Sequence, residues 1–241
     1  MAELTVIAVD WSGRKDQDQI HHIRVAIVTP DGHLDVWCDL TRDDVVGELD
    51  LVERPVVVGF DFSFGFPDWV GRCHGIDFGP SLWPLVTQHA GNWLASCPPP
   101  FFGAKGTTVP ALERFRETEK VNKAKSTFQL AGAGHVGTCS LRGMPFLQTM
   151  RAGGFSVWPF DGASERTVVE IYPRVLRERA DVSRLSGRHR RAIGNSEDRR
   201  DAVLSAVVMA EHRTTLASLS RTHDPTTRLE GTIWCPTATS P

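Results

Sequence analysis

Five acids stand where a folded chain has little reason to place them. Asp10 directly follows the apolar run TVIAV, Asp61 directly follows VVVGF, and Glu170 lies inside TVVEIYP. Asp198 and Asp201 are three residues apart at the head of DRRDAVLSAVVMA, so a single helix face would present both. Aspartate is disfavoured in strands and costly to bury unpaired. Each acid also has an ordinary reading on its own. Asp10 or Asp61 could end a strand and open a turn, Asp198 could complement a helix dipole, and Glu170 could pair with Arg174. As a set, acids pinned to the ends of buried elements repel one another unless they share a cation. Oxygen donors of this kind suit Mg²⁺ or Mn²⁺. Two such ions ~3.5–4 Å apart can clamp the attacking and leaving oxygens of a phosphodiester hydrolysis.

The elements that must position these acids are legible at the start of the chain. TVIAVD reads as a buried strand, and IRVAIVTPDGHLDVW as two strands around the turn Pro30-Asp31-Gly32. A helix is expected from Arg42 to Leu51, then a fourth strand at PVVVGF. The order β-β-β-α-β joins an antiparallel hairpin to a helical crossover, which implies a parallel neighbour. Residues 64–154 read as an irregular insertion, with Pro98-Pro99-Pro100 and scattered glycines, rather than as a second domain. Strand character returns at FSVWPF and TVVEIYP. A helix is expected from Asn195 to about Thr214, capped by Asn195 or Ser196, and GTIWCP is expected to close the chain as a short strand.

The segments IAVDWSG, VVGFDFSFGFP, GHVGTCSLRGMPFL, VVEIYPRVL, DRRDAVLSAVVMA and EGTIWCP resemble, in this order, the domain of unknown function 429 family. That family is described as predicted nucleases of ribonuclease H-like fold. The resemblance spans nearly the whole chain. It implies one α/β domain over residues 1–241, with a mixed five-stranded sheet, flanking helices and the insertion at 64–154. It also implies a metal-dependent nuclease whose metal ligands are Asp10, Asp61 and Asp201, with Asp198 and Glu170 as secondary members of the catalytic set. The turns Asp10-Trp-Ser12-Gly13 and Asp61-Phe-Ser63 resemble the phosphate loops of actin-like ATPases and sugar kinases, which need two copies of this core. Ser12 and Ser63 are therefore candidates to contact a phosphate. The alternative function is a non-catalytic or small-phosphate or nucleotide-binding, phosphoryl-transfer module on the same fold.

Candidate substrate contacts lie elsewhere too. Arg116 in FRETEK and Arg142 in LRGMP could hold a phosphate, or belong to a paired surface helix. Nine arginines against four acids between Arg174 and Arg200 give +5 on a chain of net charge −2, so the remainder carries −7. Arg188, Arg190 and Arg191 in that stripe could meet a phosphate backbone, or simply form a solvated face. The aromatics Trp11, Phe62, Phe64 and Phe66 flank the acids as either a base-stacking platform or core. Expected partners are nucleic acid or a phosphorylated small molecule.

Composition and motifs exclude other classes. At 241 residues, 41% hydrophobic and 23% charged, the chain is neither disordered nor fibrous. No apolar stretch reaches a membrane span and no signal peptide opens the sequence, so a soluble cytoplasmic protein is expected. The five cysteines are scattered, with neither zinc nor redox spacing. Gly132-Ala-Gly134-His-Val-Gly137 spells a dinucleotide fingerprint without the strand and long helix such a site needs. Gly103-Ala-Lys105-Gly106-Thr107 has the wrong order for a P-loop.

Overall fold

Short β-branched runs build the centre of the molecule. The computed structural model describes residues 3–103, 113–132 and 134–236; most of Gly103–Thr107, and Ala133 of the fingerprint, lie outside them. Strands β1 (Thr5–Asp10), β2 (Arg24–Val28), β3 (Leu34–Trp37) and β4 (Val56–Phe60) form where the apolar runs predict them. Helix α1 (Arg42–Leu51) joins β3 to β4. It opens on a capping box, with the Asp44 N–H donating to the Thr41 hydroxyl and the Thr41 N–H to the Asp44 carboxylate. Helices α2 (Asp68–Cys73), α3 (Trp83–Ser96), α4 (Glu117–Val121) and α5 (Val136–Ala152) follow. After them come β5 (Ser156–Val157), β6 (Arg166–Glu170), α6 (Pro173–Arg179), α7 (Gly187–Ile193), α8 (Glu197–Glu211), α9 (Arg213–Ala217) and α10 (Pro225–Glu230).

The sheet has the order β3-β2-β1-β4-β6-β5. Pairs β1–β2 and β2–β3 are antiparallel, and β1–β4, β4–β6 and β6–β5 parallel. Six strands correct the expectation of five. The sixth is the two-residue β5, stopped by Pro159, whereas GTIWCP contributes only a parallel bridge from Ile233 to Glu170 before Pro236.

Side chains alternate between two cores, as period-2 geometry requires. Ile7, Val9, Val25, Ile27, Val58 and Phe60 face α3 and α5, while Val6, Ala8, Ala26, Val57 and Val169 face α6 and α8. The insertion is therefore a packed layer and not an irregular excursion. Its helices α3 and α5 lie against each other and cover one face of the sheet. The sequence concealed the 17-residue α5 because Gly137, Gly143 and Pro145 interrupt it. Packing overrides that weak propensity. A Cβ on Gly143 would lie 2.6 Å from the Phe62 ring, so the glycine is what lets α5 close on the sheet. No helix among the described residues is long and apolar enough to cross a membrane, and all five cysteines are free thiols.

Candidate functional site

Strand parity sorts the acids. Along β1, Val6 and Ala8 face α8, so Asp10 falls on the same side; along β4, Val57 and Gly59 do, so Asp61 falls there too. The strands are parallel neighbours with Val9 opposite Phe60, and the Asp61 N–H donates to the Val9 carbonyl at 3.1 Å. The two acids thus leave adjacent strands side by side. Helix α8 reaches them because the sheet beneath it is shaved down to Ala8, Ala26 and Gly59. A Cβ on Gly59 would stand 2.8 Å from Met209 Sδ and from Ile171 Cγ2. Ser196 caps α8, accepting the Arg199 N–H, and the first two turns carry Asp198 and Asp201 towards the strand ends.

The result is a crowd of carboxylates. Asp10 and Asp61 stand close enough for each to act on the other's ionisation. Burial, then the charges of Asp61, Asp198 and Asp201, hold the Asp10 carboxyl well above the usual range. Burial, then Asp201 and Glu170, pushes Asp61 up to about 8. The pair therefore keeps a proton at neutral pH. Burial raises Asp201 to about 6 against the Arg177 guanidinium, whose Nη1 makes a close ion contact of 2.8 Å with Oδ1. Asp198 sits at the exposed rim, 3.3 Å from His22 Nδ1. From the α5 side, Cys139 backs the cluster. Its thiol is pushed up to about 12 by burial first and then by Asp61 and Asp10.

Carboxylate oxygens are the donors a hard divalent ion takes. Among the described residues no three His, Cys, Asp or Glu side chains stand together in chelating geometry. The donor chemistry of Asp10, Asp61 and Asp201 fits such an ion. The proton between Asp10 and Asp61 and the guanidinium on Asp201 are what it would displace.

Other expected site residues take different places. Glu170 is one residue out of phase: Val169 and Ile171 face α8, so Glu170 points through the other face of the sheet. There its two oxygens accept from Arg116 Nη1 at 2.9 Å and Nη2 at 2.5 Å, and Oε2 accepts the Phe64 N–H. Arg116 is correspondingly not a substrate contact. It is fully buried and also donates to Glu119 Oε1 and the Glu230 carbonyl. Ser63 is buried, with its N–H donated to Ser140 Oγ and its hydroxyl aimed at Glu119. Ser12 is buried too, and its Oγ accepts the Arg14 N–H. Ser12 Oγ thus braces its own turn, and Ser63 is tied to α5 and Glu119. Trp11, Phe62, Phe64 and Phe66 are core, the first three in one run of ring contacts, and offer no exposed platform. Arg188 meets His33, which pairs beside Thr29 near the start of β1, about 16 Å along the strand from Asp10. Arg190 spends donors on the Leu185 and Val182 carbonyls. Arg142 alone of these candidates stays near the acids, donating to the Gly13 carbonyl.

Sequence reasoning missed Arg177, His22, Arg24 and Cys139. Only Arg24 had a usable signal, since it opens the strand that pairs opposite Asp10; its charge draws the Asp10 carboxyl down. The others depend on how α6, α5 and the β1–β2 connection pack. No family model matches the chain, and neither the curated proteins nor the solved structures give a match.

Proposed function

We propose that this chain is a divalent-metal-dependent phosphodiester hydrolase, a nuclease by class, on a ribonuclease H-like core. The observation that carries the reading is the convergence of Asp10, Asp61 and Asp201 from β1, β4 and α8, close enough for two of them to share a proton. Support also comes from the order β3-β2-β1-β4-β6, with β2 alone antiparallel to both its neighbours. That order, and the motifs resembling the domain of unknown function 429 family, are what a ribonuclease H-like nuclease would carry. Mg²⁺ or Mn²⁺ held by these three carboxylates would polarise a phosphate oxygen and neutralise charge developing on it.

The chain's own residues supply the remainder. Asp10 and Asp61 are oriented by strand backbone, so their carboxylates need little reorganisation to face one point. Arg177 holds Asp201 at the third position and opposes its protonation. His22 and Asp198 form a pair at the rim, with His22 Nδ1 facing Asp198 Oδ2. Glu170 and Arg116 position the turn after Asp61 by holding the Phe64 N–H.

The test is Mn²⁺ titration by calorimetry with a cleavage screen on labelled DNA and RNA strands, for wild type, Asp10→Asn and Asp61→Asn. Wild type should bind Mn²⁺ and cut, and each variant should lose cleavage and most of the binding. A chain that takes no Mn²⁺ ends this reading. One that binds Mn²⁺ but cuts neither polymer is the small-phosphate module instead.

A further inference from the structure

We infer that a cationic groove beside the carboxylates receives the phosphate backbone of a nucleic-acid strand, an inference that rests on the hydrolase reading and names where its substrate lies. After Asp10 the chain turns through Ser12, Gly13 and Arg14, and two guanidinium groups grip the carbonyls of that turn. Arg42 Nη1 donates to Ser12 and Arg14 oxygens at 3.0 Å each, and Arg142 Nη1 to the Gly13 oxygen at 2.5 Å. Gly13 is seated on α5, where a Cβ would lie 3.1 Å from Cys139 and Thr138. The loop is thereby fixed against the helix that backs Asp10 and Asp61.

Between this loop and residues 130–142 lies a groove of about 860 Å³, lined by Arg14, Lys15, His135 and Arg142 among others. Among the described side chains, Arg14, Lys15 and Arg142 line the groove with the acid Asp18, which stands 3.7 Å from Arg14 in an exposed pair. A cationic wall adjoining a cluster of carboxylates is what a polyanion needs, because attraction along the groove offsets repulsion at its end. The volume is near the top of the ~300–1,000 Å³ range of small-ligand sites, and the charged groups of its lining are mostly cations. Arg14, Lys15 and Arg142 are phosphate-contacting side chains, and no Phe, Tyr or Trp lines the groove among the described residues. Continuity with the acids is direct. Arg142 is one helical turn beyond Cys139, which packs under Asp10 and Asp61, and Gly13 is three residues beyond Asp10. The arginines of α7 lack that continuity, since Arg188 lies towards the opposite end of β1.

The experiment is fluorescence anisotropy of a labelled mixed-sequence single-stranded DNA over a salt series in EDTA. It compares wild type, Arg14→Ala/Lys15→Ala and Arg188→Ala/Arg190→Ala/Arg191→Ala. Arg14 and Lys15 are exposed, so the double variant should fold as wild type does. It should bind the strand roughly ten-fold more weakly, and its log–log salt slope should fall by about 1.4, at about 0.7 for each of two lost single-strand phosphate contacts. The triple variant should keep the wild-type slope. An unchanged slope in the double variant, or a slope lost in the triple variant, overturns the groove. So does a wild type that binds no strand at low salt. Calorimetric Mn²⁺ affinity, measured in parallel, should be the same for the double variant and wild type. Intact Mn²⁺ binding with no strand binding removes the groove and leaves the metal-dependent reading standing. Strand binding through Arg14 and Lys15 without Mn²⁺ binding supports the groove and removes that reading.

Discussion

Around Arg116 and around Asp10 the same sheet carries acids on opposite faces, yet the two groups have been resolved in contrary ways. On the α4 side, Glu119 and Glu170 enclose a guanidinium with no exposed surface, and the same carboxylates also accept the Phe64, Thr127 and Arg116 backbone N–H groups. Burial works against the Arg116 charge, but Glu170 and Glu119 more than offset it and hold the group protonated. On the α8 side, among the described residues, the partly exposed Arg177 stands against Asp201, Asp198 faces His22, and Arg24 draws on Asp10 from further off. Instead of a cation, Asp10 and Asp61 have a shared proton. A buried acid cluster with its own embedded arginine is finished structure. One that must hold protons to be tolerated is left open to another cation, and it is there that we propose the site.

The sharpest way to break this contrast is Arg116→Met. Removing the cation strands Glu119 and Glu170, and breaking a buried pair this way costs about 3–5 kcal/mol. The melting temperature should fall by roughly 6–20 °C. Asp61→Asn, on the other face, should leave metal-free melting unchanged or higher at pH 8. If Arg116→Met melted within about 2 °C of wild type, Arg116 would not be the structural hub described here.

Next in size is the loss of metal-induced stability in Asp201→Asn. A ligand binding only the folded state at 100 times its Kd adds about 2.7 kcal/mol, which is roughly 5–11 °C for a chain of this length. Wild type should gain that in saturating Mn²⁺, and Asp201→Asn should gain little of it while its melting in EDTA is equal or higher. Equal Mn²⁺ shifts in the two proteins would take Asp201 out of the site. A large loss in EDTA would make Asp201 structural, like Glu170.

An effect of similar size should follow pH alone. The Asp61 carboxyl rises from 3.8 to about 8 on folding, so the folded state binds the extra proton. The stability this adds is fully present below about pH 4 and is lost as pH rises through about 8. From pH 6 to pH 9 the loss is about 2.7 kcal/mol, so in EDTA the wild-type melting temperature should drop by roughly 5–11 °C, beyond whatever change Asp61→Asn shows over the same interval. Parallel curves for the two proteins would mean that no proton is held between Asp10 and Asp61.

Much of this contrast could be read before folding, and its failures have physical causes. Asp10 and Asp61 were visible as acids ending apolar runs, and the β-β-β-α-β order places their strands together. Glu170 gave the same signal but belongs to the other face. In TVVEIYP the acid lies between two residues that pack under α8, and its side could not be fixed without the pairing of Glu170 with Phe60. Arg116 read as a candidate phosphate contact or a member of a paired surface helix because its partner Glu170 is 54 positions away. Helix α5 was hidden by glycines that serve close packing against Phe62 and the Thr127 and Gln129 carbonyls. The arginine stripe was visible in composition, but composition carries no register, and register is what separates Arg188 from the acids.

The finest probe of the contrast is Arg177, the cation the site does have. Its Nη1 lies 2.8 Å from Asp201 Oδ1 and 3.6 Å from Glu197 Oε1, and it draws down the carboxyls of both Asp61 and Asp201. Replacing it with glutamine has two opposed consequences for a divalent ion. An oxygen of Asp201 is released from competition, which favours ion binding, while Asp61 and Asp201 lose a positive neighbour and hold their protons more firmly, which opposes it. Only the second depends on pH, and it vanishes once the carboxyls are ionised in both proteins. Arg177→Gln should therefore bind Mn²⁺ about as well as wild type, or more weakly, near pH 6.5. Near pH 9 it should bind a few-fold more tightly. Metal-free stability should change by no more than about 1 kcal/mol, because the arginine is partly exposed and solvent screens the pair. Calorimetry at the two pH values reads the ratio. If it does not move with pH, Arg177 braces α6 against α8 and the site competes with protons alone; if it does, the arginine and the ion share one place.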